Sequence, residues 1–246
     1  MVEPDAPVLS KGRLSRSRVA AFLLVLAGVV AWDAVAPHLS PVGVWWAIAI
    51  VGLAVLPATL LLVYLALPLW SHRRLVAIGL VVFLVAAVVT WEAGAHLASN
   101  FAKLAAYTCG GWLFLLFFEE LAWVVLIALI IPFVDTLSVI AGPTNNIVNH
   151  HIQVYSAVAV AFVAPGGGAA QLGPPDVLFF ALFLAATVRW QLRPGWTWLA
   201  MTGMYSLTLV IANATNVNGL PALPFLSAGF LIANGDLLWR RLRPAR

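Results

Sequence analysis

Residues 121–142 read LAWVVLIALIIPFVDTLSVIAG, and Asp135 is the single charged residue among these 22. About 20 predominantly apolar residues are enough for a helix to cross the hydrocarbon core of a bilayer. The stretch follows two acidic residues, Glu119 and Glu120, and it ends at Gly142-Pro143, a common stop signal for helices. It therefore predicts a transmembrane helix that carries a carboxyl group within the membrane.

Seven further apolar stretches of similar length accompany this one. They cover residues 19–36, 44–70, 75–97, 101–118, 174–192, 196–213 and 220–239. Across the chain 63% of the residues are hydrophobic and 9% are charged, whereas about 25% are charged in ordinary soluble domains. The sequence thus predicts an all-α polytopic membrane protein with about eight transmembrane helices, and it excludes a soluble globular domain.

The predicted helices divide the chain into three parts. Residues 1–18 are polar and basic, and they predict a disordered basic tail. Residues 19–118 contain four N-terminal transmembrane helices, and residues 119–246 contain the other four. The Ala34-Val35-Ala36 sequence after the first apolar stretch also fits a cleaved signal peptide, but Asp33 and the long basic region favour a retained helix.

The lysines and arginines indicate how the helices are oriented. With eight spans and the N-terminus inside, the tail, the C-terminal cluster, Arg73-Arg74, Arg189 and Arg193 all lie on the cytoplasmic side. Lys103 alone lies outside, so twelve of the thirteen basic residues follow the positive-inside rule. We therefore expect an integral, multi-pass protein with both termini in the cytoplasm. The basic residues form no basic face, so we expect the lipid bilayer and no nucleic acid as a partner.

Residues 154–163 form an apolar stretch that is too short to cross the membrane as a helix. Its valines and Phe162 favour an extended segment instead. A ninth span at this point would move Arg189, Arg193 and the C-terminal cluster to the outside, against the positive-inside rule. We therefore predict an extended segment in the loop between the fifth and sixth helices.

Ionisable side chains within transmembrane helices are candidates for function, because each costs about 2.5–3.5 kcal/mol to insert. Three of them have a local explanation in the sequence. Glu92 lies four positions before His96 on one helical face, so the two are expected to pair. Asp236 has the same spacing to Arg240, and Asp33 is expected to reach water near the outer end of its helix.

Asp135 and Asp176 lack such an explanation. Both are expected in the outer half of the membrane, so their carboxyls can lie close together. Asp135 lies seven residues before the outer end of its helix, or about 10 Å at the helical rise. Asp176 lies at the outer start of the next spanning helix, which runs antiparallel to the first. Two facing carboxyls cannot both ionise cheaply and would share one proton. Aspartic hydrolysis requires this arrangement, because one carboxylate activates a water while the protonated group polarises the scissile carbonyl.

Three motifs around these aspartates resemble one protein family. Phe133-Val134-Asp135, Gly173-Pro174-Pro175-Asp176 and Pro221-Ala222-Leu223-Pro224 follow the order and helical contexts of the presenilin and signal peptide peptidase family of intramembrane aspartyl proteases. That family carries a Tyr-Asp motif, a Gly-x-Gly-Asp motif and a Pro-Ala-Leu motif on three core helices. The resemblance covers residues 119–240, about half of the chain. It implies a presenilin-like core in the C-terminal half.

The resemblance also implies a role for each motif. Asp135 and Asp176 would be the catalytic dyad, and residues 154–163 would pair with the substrate as a strand. The substrates would be transmembrane peptides or proteins, and no metal or other cofactor would take part. The residues implied to bind the substrate are Gly173, Pro221, Ala222, Leu223 and Pro224.

Two positions depart from the family pattern. Val134 stands in place of the tyrosine, which removes a hydroxyl from the first motif. Pro175 stands in place of the glycine next to the second aspartate. Proline suits the first turn of a helix, and Asp176 would then lie beside free N–H groups that favour its ionised form.

Two other classes of protein fit the same residues. In a proton-coupled transporter Asp135 and Asp176 would form a proton relay, although the internal repeat that is typical of carriers is missing from the sequence. In a catalytically silent relative the chain would be a membrane scaffold, which Val134 and Pro175 allow and the two aspartates argue against. A metal site at His150-His151 is not expected, because no carboxylate or cysteine lies at ligand spacing.

Overall fold

The computed structural model describes residues 15–141, 152–215 and 220–242, and it is mostly helical. Most of the predicted basic tail, the Gly142-Pro143 stop signal and His150-His151 lie outside these ranges. The α-helices of the described residues are α1 (Arg16–Val35), α2 (Val44–Ile50), α3 (Leu56–Ala66), α4 (Arg73–Glu92), α5 (His96–Phe114), α6 (Leu121–Ala141), α7 (Ile152–Val158), α8 (Pro174–Arg189), α9 (Pro194–Thr215) and α10 (Leu223–Leu242). The strands β1 (Val160–Val163) and β2 (Ala169–Leu172) form one antiparallel hairpin.

Four helical segments within the described ranges are long and apolar enough to cross a membrane. They are Arg16–His38, Val44–Ser71, Arg73–Glu92 and Leu121–Ser138. Large apolar side chains on these segments face outward, among them Leu24 (75% exposed), Leu53 (78%) and Phe133 (72%). An outward apolar face of this kind suits contact with lipid rather than with water.

The other four predicted segments are also helical, as α5, α8, α9 and α10, but they are shorter or more polar. The 16-residue helix α8 lies at the centre, packed against α5, α9 and α10. Its residues 180–186 are completely buried, and Phe183 stacks on Phe230 of α10 with 4.8 Å between the ring centroids. Because neighbouring helices enclose α8, its side chains contact protein groups rather than lipid.

The predicted extended segment 154–163 is only partly extended, since residues up to Val158 form the short helix α7. Hydrogen bonds from α5 explain this helix, because they satisfy two carbonyls near its end. Tyr107 Oη donates to the Val158 carbonyl at 2.7 Å, and Lys103 Nζ donates to the Ser156 carbonyl at 3.3 Å. The prediction of an extended segment is therefore wrong for α7 and confirmed for β1.

Side chains from two helices cover the outer edge of β1. The side-chain amide of Asn100 donates to the Ala161 carbonyl and accepts from the Ala161 N–H, both at 2.8 Å. Trp32 Nε1 of α1 donates to the Val163 carbonyl at 2.8 Å. The N–H and C=O of one strand residue point to the same side, so Ala161 and Val163 face away from β2. Asn100 therefore fixes the hairpin to α5.

We expect Asn100→Leu to destabilise the protein by about 2–4 kcal/mol, because it leaves both backbone groups of Ala161 without a partner. The melting temperature in detergent micelles measures this effect. Gln171→Leu is the matched control, since the Gln171 side chain makes a single 3.3 Å bond to Ser156 Oγ. Equal melting temperatures for the Asn100→Leu and Gln171→Leu proteins would contradict the role given to Asn100.

The expected pair of Glu92 and His96 is not formed, because the two residues lie in different helices. Gly94 has a φ of 75°, and α4 ends at Glu92 before this turn. Glycine adopts a positive φ without the steric cost that other residues meet. The His96 ring instead packs edge to face against Trp91, with 4.6 Å between the ring centroids.

Two further expectations about acidic residues are wrong. Asp236 pairs with Arg193 rather than with Arg240, and both carboxylate oxygens lie 2.7 Å from the guanidinium nitrogens. The start of α9 lies beside α10, so a residue distant in the sequence is the nearer partner. Asp33 lies two residues before the end of α1, but its side chain does not face the outer surface, since it is 8% exposed and lines an internal cavity.

Several arginines bind the ends of neighbouring helices at one end of the bundle. Arg18 donates to the Tyr64 and Leu65 carbonyls at the end of α3. Arg189 donates to the Leu115 carbonyl just after α5, at 2.9 Å. Cations suit helix C-termini, where carbonyls lack intrahelical partners. Lys103 contacts α7 near the hairpin, at the opposite end of α5 from Leu115.

Candidate active site

Asp135 lies in α6, three residues after Pro132. Its Oδ2 accepts a hydrogen bond from the Leu223 N–H at 3.1 Å. Leu223 is the first residue of α10, so its N–H belongs to the four that have no partner within the helix. Asp135 thus caps α10 from a different helix, and the packing of α6 against α10 brings the two together. A carboxylate in this position also interacts favourably with the positive end of the helix dipole.

Asp176 is the third residue of α8, after Pro174 and Pro175. Its Oδ2 accepts a hydrogen bond from the Gly173 N–H at 2.9 Å, which closes the start of the helix. The N–H groups of the first helical residues have no intrahelical acceptor, so two prolines here cost no helical hydrogen bond. Pro175, which departs from the family pattern, is therefore compatible with the helix that positions Asp176.

The carboxyls of Asp135 and Asp176 lie near each other, beside the starts of α10 and α8 respectively. Asp135 and Asp176 lie close enough to interact electrostatically with each other and with the hydroxyl groups of Tyr155 and Tyr205. Both side chains are partly buried. The structure thus brings together the two aspartates that the sequence singled out, each with one oxygen bound to a backbone N–H of a helix start.

Tyr155 is a member of this cluster that sequence reasoning missed. A Cβ added to Gly173 would lie 3.8 Å from Tyr155 Oη and 3.4 Å from Asp176 Oδ2, so the hydroxyl and the carboxyl lie on the same side of this glycine. Val134, at the position where the resembled motif has tyrosine, is 58% exposed on the outer face of α6. The site therefore contains a tyrosine hydroxyl, but α7 supplies it rather than α6. The one usable signal in the sequence was a lone tyrosine within the mainly apolar stretch 154–163.

Tyr205 of α9 is the second residue that sequence reasoning missed. Its side chain is 1% exposed, and its hydroxyl donates to the backbone carbonyl of Asp176 at 2.9 Å. The ring stacks on Phe180, one turn further along α8, with 6.1 Å between the centroids. Tyr205 therefore holds the first turn of α8 and fixes the position of Asp176.

The predicted substrate-binding residues flank the two carboxyls. Gly173 is buried and directly precedes α8, while Ala222 and Leu223 are buried at the start of α10. Pro221 and Pro224 lie on either side of them and are partly buried. Residues 221–224 surround the start of α10, where the Leu223 N–H reaches Asp135.

Strand β2 leads directly into Gly173 and so into the site. Its residues Ala169 and Gln171 are opposite Val163 and Ala161, whose backbone groups face away from β2. The N–H and C=O groups of Ala169 and Gln171 consequently face away from β1. Among the described residues, none bonds these outward groups. The edge of β2 beside Asp176 can therefore accept another extended chain.

Within the described ranges, no group of three or more histidine, cysteine, aspartate or glutamate side chains is arranged to hold a metal ion. The candidate site thus consists of two carboxyls, two tyrosine hydroxyls, two helix starts and one strand edge. No family model, no curated protein and no solved structure matches the chain.

Proposed function

We propose that the protein is an intramembrane aspartyl protease that hydrolyses peptide bonds of transmembrane segments. The observation that carries this proposal is the approach of Asp135 to Asp176 from two separate helices, with one oxygen of each bound to a backbone N–H. The bound oxygens orient the carboxyls, and within the described ranges no hydrogen bond occupies the other oxygen of either group, so it can bind a water or a substrate carbonyl. Two carboxyls arranged in this way can share one proton.

The proposed reaction needs only these two groups and a water molecule. The ionised carboxylate accepts a proton from the water as the water oxygen attacks the carbonyl carbon of the peptide bond. The protonated carboxyl donates its proton towards the carbonyl oxygen, and the tetrahedral intermediate then collapses with proton transfer to the leaving nitrogen. Either aspartate can begin in the ionised form.

The edge of β2 is the proposed binding surface for the substrate. A transmembrane helix has its own carbonyls hydrogen-bonded, so the segment to be cut must be unwound before water can attack. Pairing with Ala169 and Gln171 would replace the lost hydrogen bonds, because the outward groups of β2 lie just before Gly173 and Asp176. The proposed substrates are transmembrane peptides or proteins that reach the site through the surrounding bilayer.

We also propose a topology of eight spans, in which α5, α8, α9 and α10 cross the membrane together with the four apolar segments. Both termini would be cytoplasmic, since Arg18, Arg73, Arg189 and Arg193 would lie inside. The dyad would then lie in the outer half of the membrane. The resemblance to the signal peptide peptidase branch gives the expected substrate orientation, with its N-terminus inside.

Reconstitution of the purified protein in liposomes with a transmembrane peptide tests this proposal. Mass spectrometry should find products cut within the apolar segment of the peptide. Intact peptide together with proton-driven solute flux would instead identify a carrier. Intact peptide without flux, from a protein that keeps its thermal transition, would favour a catalytically silent scaffold.

Tyr155→Phe is expected to reduce the cleavage rate by about tenfold or more, since a hydrogen bond to a charged group contributes about 1.5–3 kcal/mol. The hydroxyl lies beside Gly173 and the Asp176 carboxyl, where it can orient that group or the water. The rate of peptide cleavage and the melting temperature should be measured together. Tyr64→Phe is the matched control, because Tyr64 lies beside Arg18 at the opposite end of the bundle. Equal cleavage rates for the two variants would exclude a role for Tyr155.

A further inference from the structure

A cavity of about 410 Å³, lined by both polar and apolar residues, lies over the face of the hairpin that carries Ala161 and Gln171. Asp33 of α1, Trp91 of α4 and Lys103 of α5 form its walls. Neither Asp135 nor Asp176 lines it. Its volume falls within the range of about 300–1,000 Å³ that is typical of ligand sites.

Asp33 contributes a buried carboxyl group to this cavity. The side chain is 8% exposed, and its Oδ1 has no hydrogen-bond partner in the part of the chain that the structure describes. The Asn100 side chain lies within hydrogen-bond reach of this carboxyl, but a buried carboxylate that lacks a cationic partner is strongly unfavourable. The free oxygen is therefore a position for a group that donates hydrogen bonds and carries positive charge.

Lys103 contributes a buried ammonium group to the same cavity. The residue is 5% exposed, and Nζ contacts the Ser156 carbonyl at 3.3 Å and the face of the Trp91 ring at 5.0 Å. An ammonium has three donors, and only one of them is used by Ser156. Among the described residues, the single ion pair within 4 Å is that of Arg193 with Asp236, so Lys103 does not neutralise Asp33.

Of the other polar side chains that line the cavity, Asn100 shapes it and His96 can contact a ligand. Asn100 uses its amide on both backbone groups of Ala161, so it fixes the hairpin beside the cavity. His96 is exposed at the rim of the cavity, and its ring packs edge to face against Trp91. His96 therefore remains available as a second donor near Lys103.

We propose that this cavity binds a zwitterion that carries a primary ammonium and an oxyanion. The ammonium would donate hydrogen bonds to Asp33 Oδ1, and the oxyanion would accept hydrogen bonds from Lys103 Nζ and His96. Such a ligand compensates both buried charges at once, which neither a simple cation nor a simple anion can do. A quaternary ammonium has no N–H and cannot satisfy Asp33. The same chemistry occurs in the headgroup of an aminophospholipid and in small soluble zwitterions.

Binding can be measured on the full chain in detergent micelles, by titration and by the shift in melting temperature. The probes are dihexanoyl phosphatidylethanolamine, free phosphoethanolamine and glycine, with the phosphatidylcholine and phosphatidylglycerol analogues as controls. We expect the ethanolamine lipid or the soluble zwitterions to bind at least tenfold more tightly than both control lipids. Binding of the lipid alone identifies a membrane ligand, and binding of phosphoethanolamine or glycine identifies a soluble one.

Asp33→Asn and Lys103→Met should each weaken binding about tenfold or more, the loss expected for one charge-assisted hydrogen bond. Glu92→Gln is the matched control, because Glu92 is exposed near the cavity without lining it. The proposal is overturned if no zwitterionic probe binds, if the choline lipid binds as tightly as the ethanolamine lipid, or if both variants bind like the wild type. The comparison of headgroups on the wild-type protein needs no variant to fold. It is also independent of proteolytic activity.

Discussion

Replacement of either Asp135 or Asp176 by Asn is expected to abolish cleavage of a transmembrane peptide, with a loss of at least about a thousandfold in turnover. Asn has nearly the shape of Asp and still offers an oxygen to the N–H of Leu223 or Gly173. The fold should therefore persist, while the site can no longer both accept and donate a proton. Cleavage rates and melting temperatures of the two single variants measure the effect.

The double variant sharpens this result. Two groups that act as one unit do not contribute independently, so Asp135→Asn combined with Asp176→Asn should lose little more activity than either change alone. Glu119→Gln and Glu120→Gln are the controls, because both glutamates are exposed before α6. Strong residual cleavage in one single variant would mean that its carboxyl is not required.

Gly111→Ala should have the largest effect on stability, at about 3 kcal/mol or more, since it forces an atom into a closely packed interface. A Cβ at Gly111 would lie 2.2 Å from the Leu178 carbonyl oxygen and 3.0 Å from Ala181 Cβ. Because the nearest atom belongs to the backbone, α5 and α8 would have to separate. Leu178 follows Asp176 by two residues, so activity should fall together with the melting temperature.

Gly110→Ala is the matched control for this change. The nearest atoms to its added Cβ are methyl groups of Leu178 and Leu80 at 3.8 and 3.9 Å, which is ordinary contact. Alanine is also favoured over glycine within a helix, by about 1 kcal/mol. We expect Gly110→Ala to keep or slightly raise the melting temperature. Similar behaviour of the two variants would show that α5 and α8 do not approach each other at Gly111.

The helices of this protein could be predicted because their signal is local. Long apolar runs and the Pro174-Pro175 pair mark helices and their starts without reference to the rest of the chain. The prediction that Asp135 and Asp176 lie at a similar depth rests on counting residues along those helices. Within the described ranges, four of the eight predicted segments are long and apolar enough to span by themselves, whereas α8, for example, has 16 residues and is enclosed by protein.

The specific hydrogen-bond and ion-pair partners of distant residues could not be predicted, because the choice of a partner depends on packing. The bond from the Leu223 N–H to Asp135 joins residues 88 positions apart and exists because α6 packs on α10. Asp236 pairs with Arg193, although Arg240 is closer in the sequence, because the start of α9 packs beside α10. Helical spacing correctly shows which residues share a face, but it does not show which neighbouring helix that face meets.

The buried polar residues near the hairpin illustrate the same limit. In the sequence Asp33 and Lys103 are isolated charges near the ends of two predicted helices. The hairpin brings them to one cavity, since Asn100 and Trp32 bind its outer edge from α5 and α1. Tyr155 also enters the candidate site because α7 turns as a helix before β1 begins.

Cleavage of a transmembrane peptide in ¹⁸O-labelled water tests the central claim most directly. The dyad mechanism predicts products cut within the apolar segment, with one ¹⁸O in the new C-terminal carboxyl of the N-terminal fragment. The Asp135→Asn and Asp176→Asn proteins should leave the peptide intact under the same conditions. Intact peptide with the folded wild-type protein, or labelled cleavage that persists in either variant, would contradict the assignment of these two aspartates.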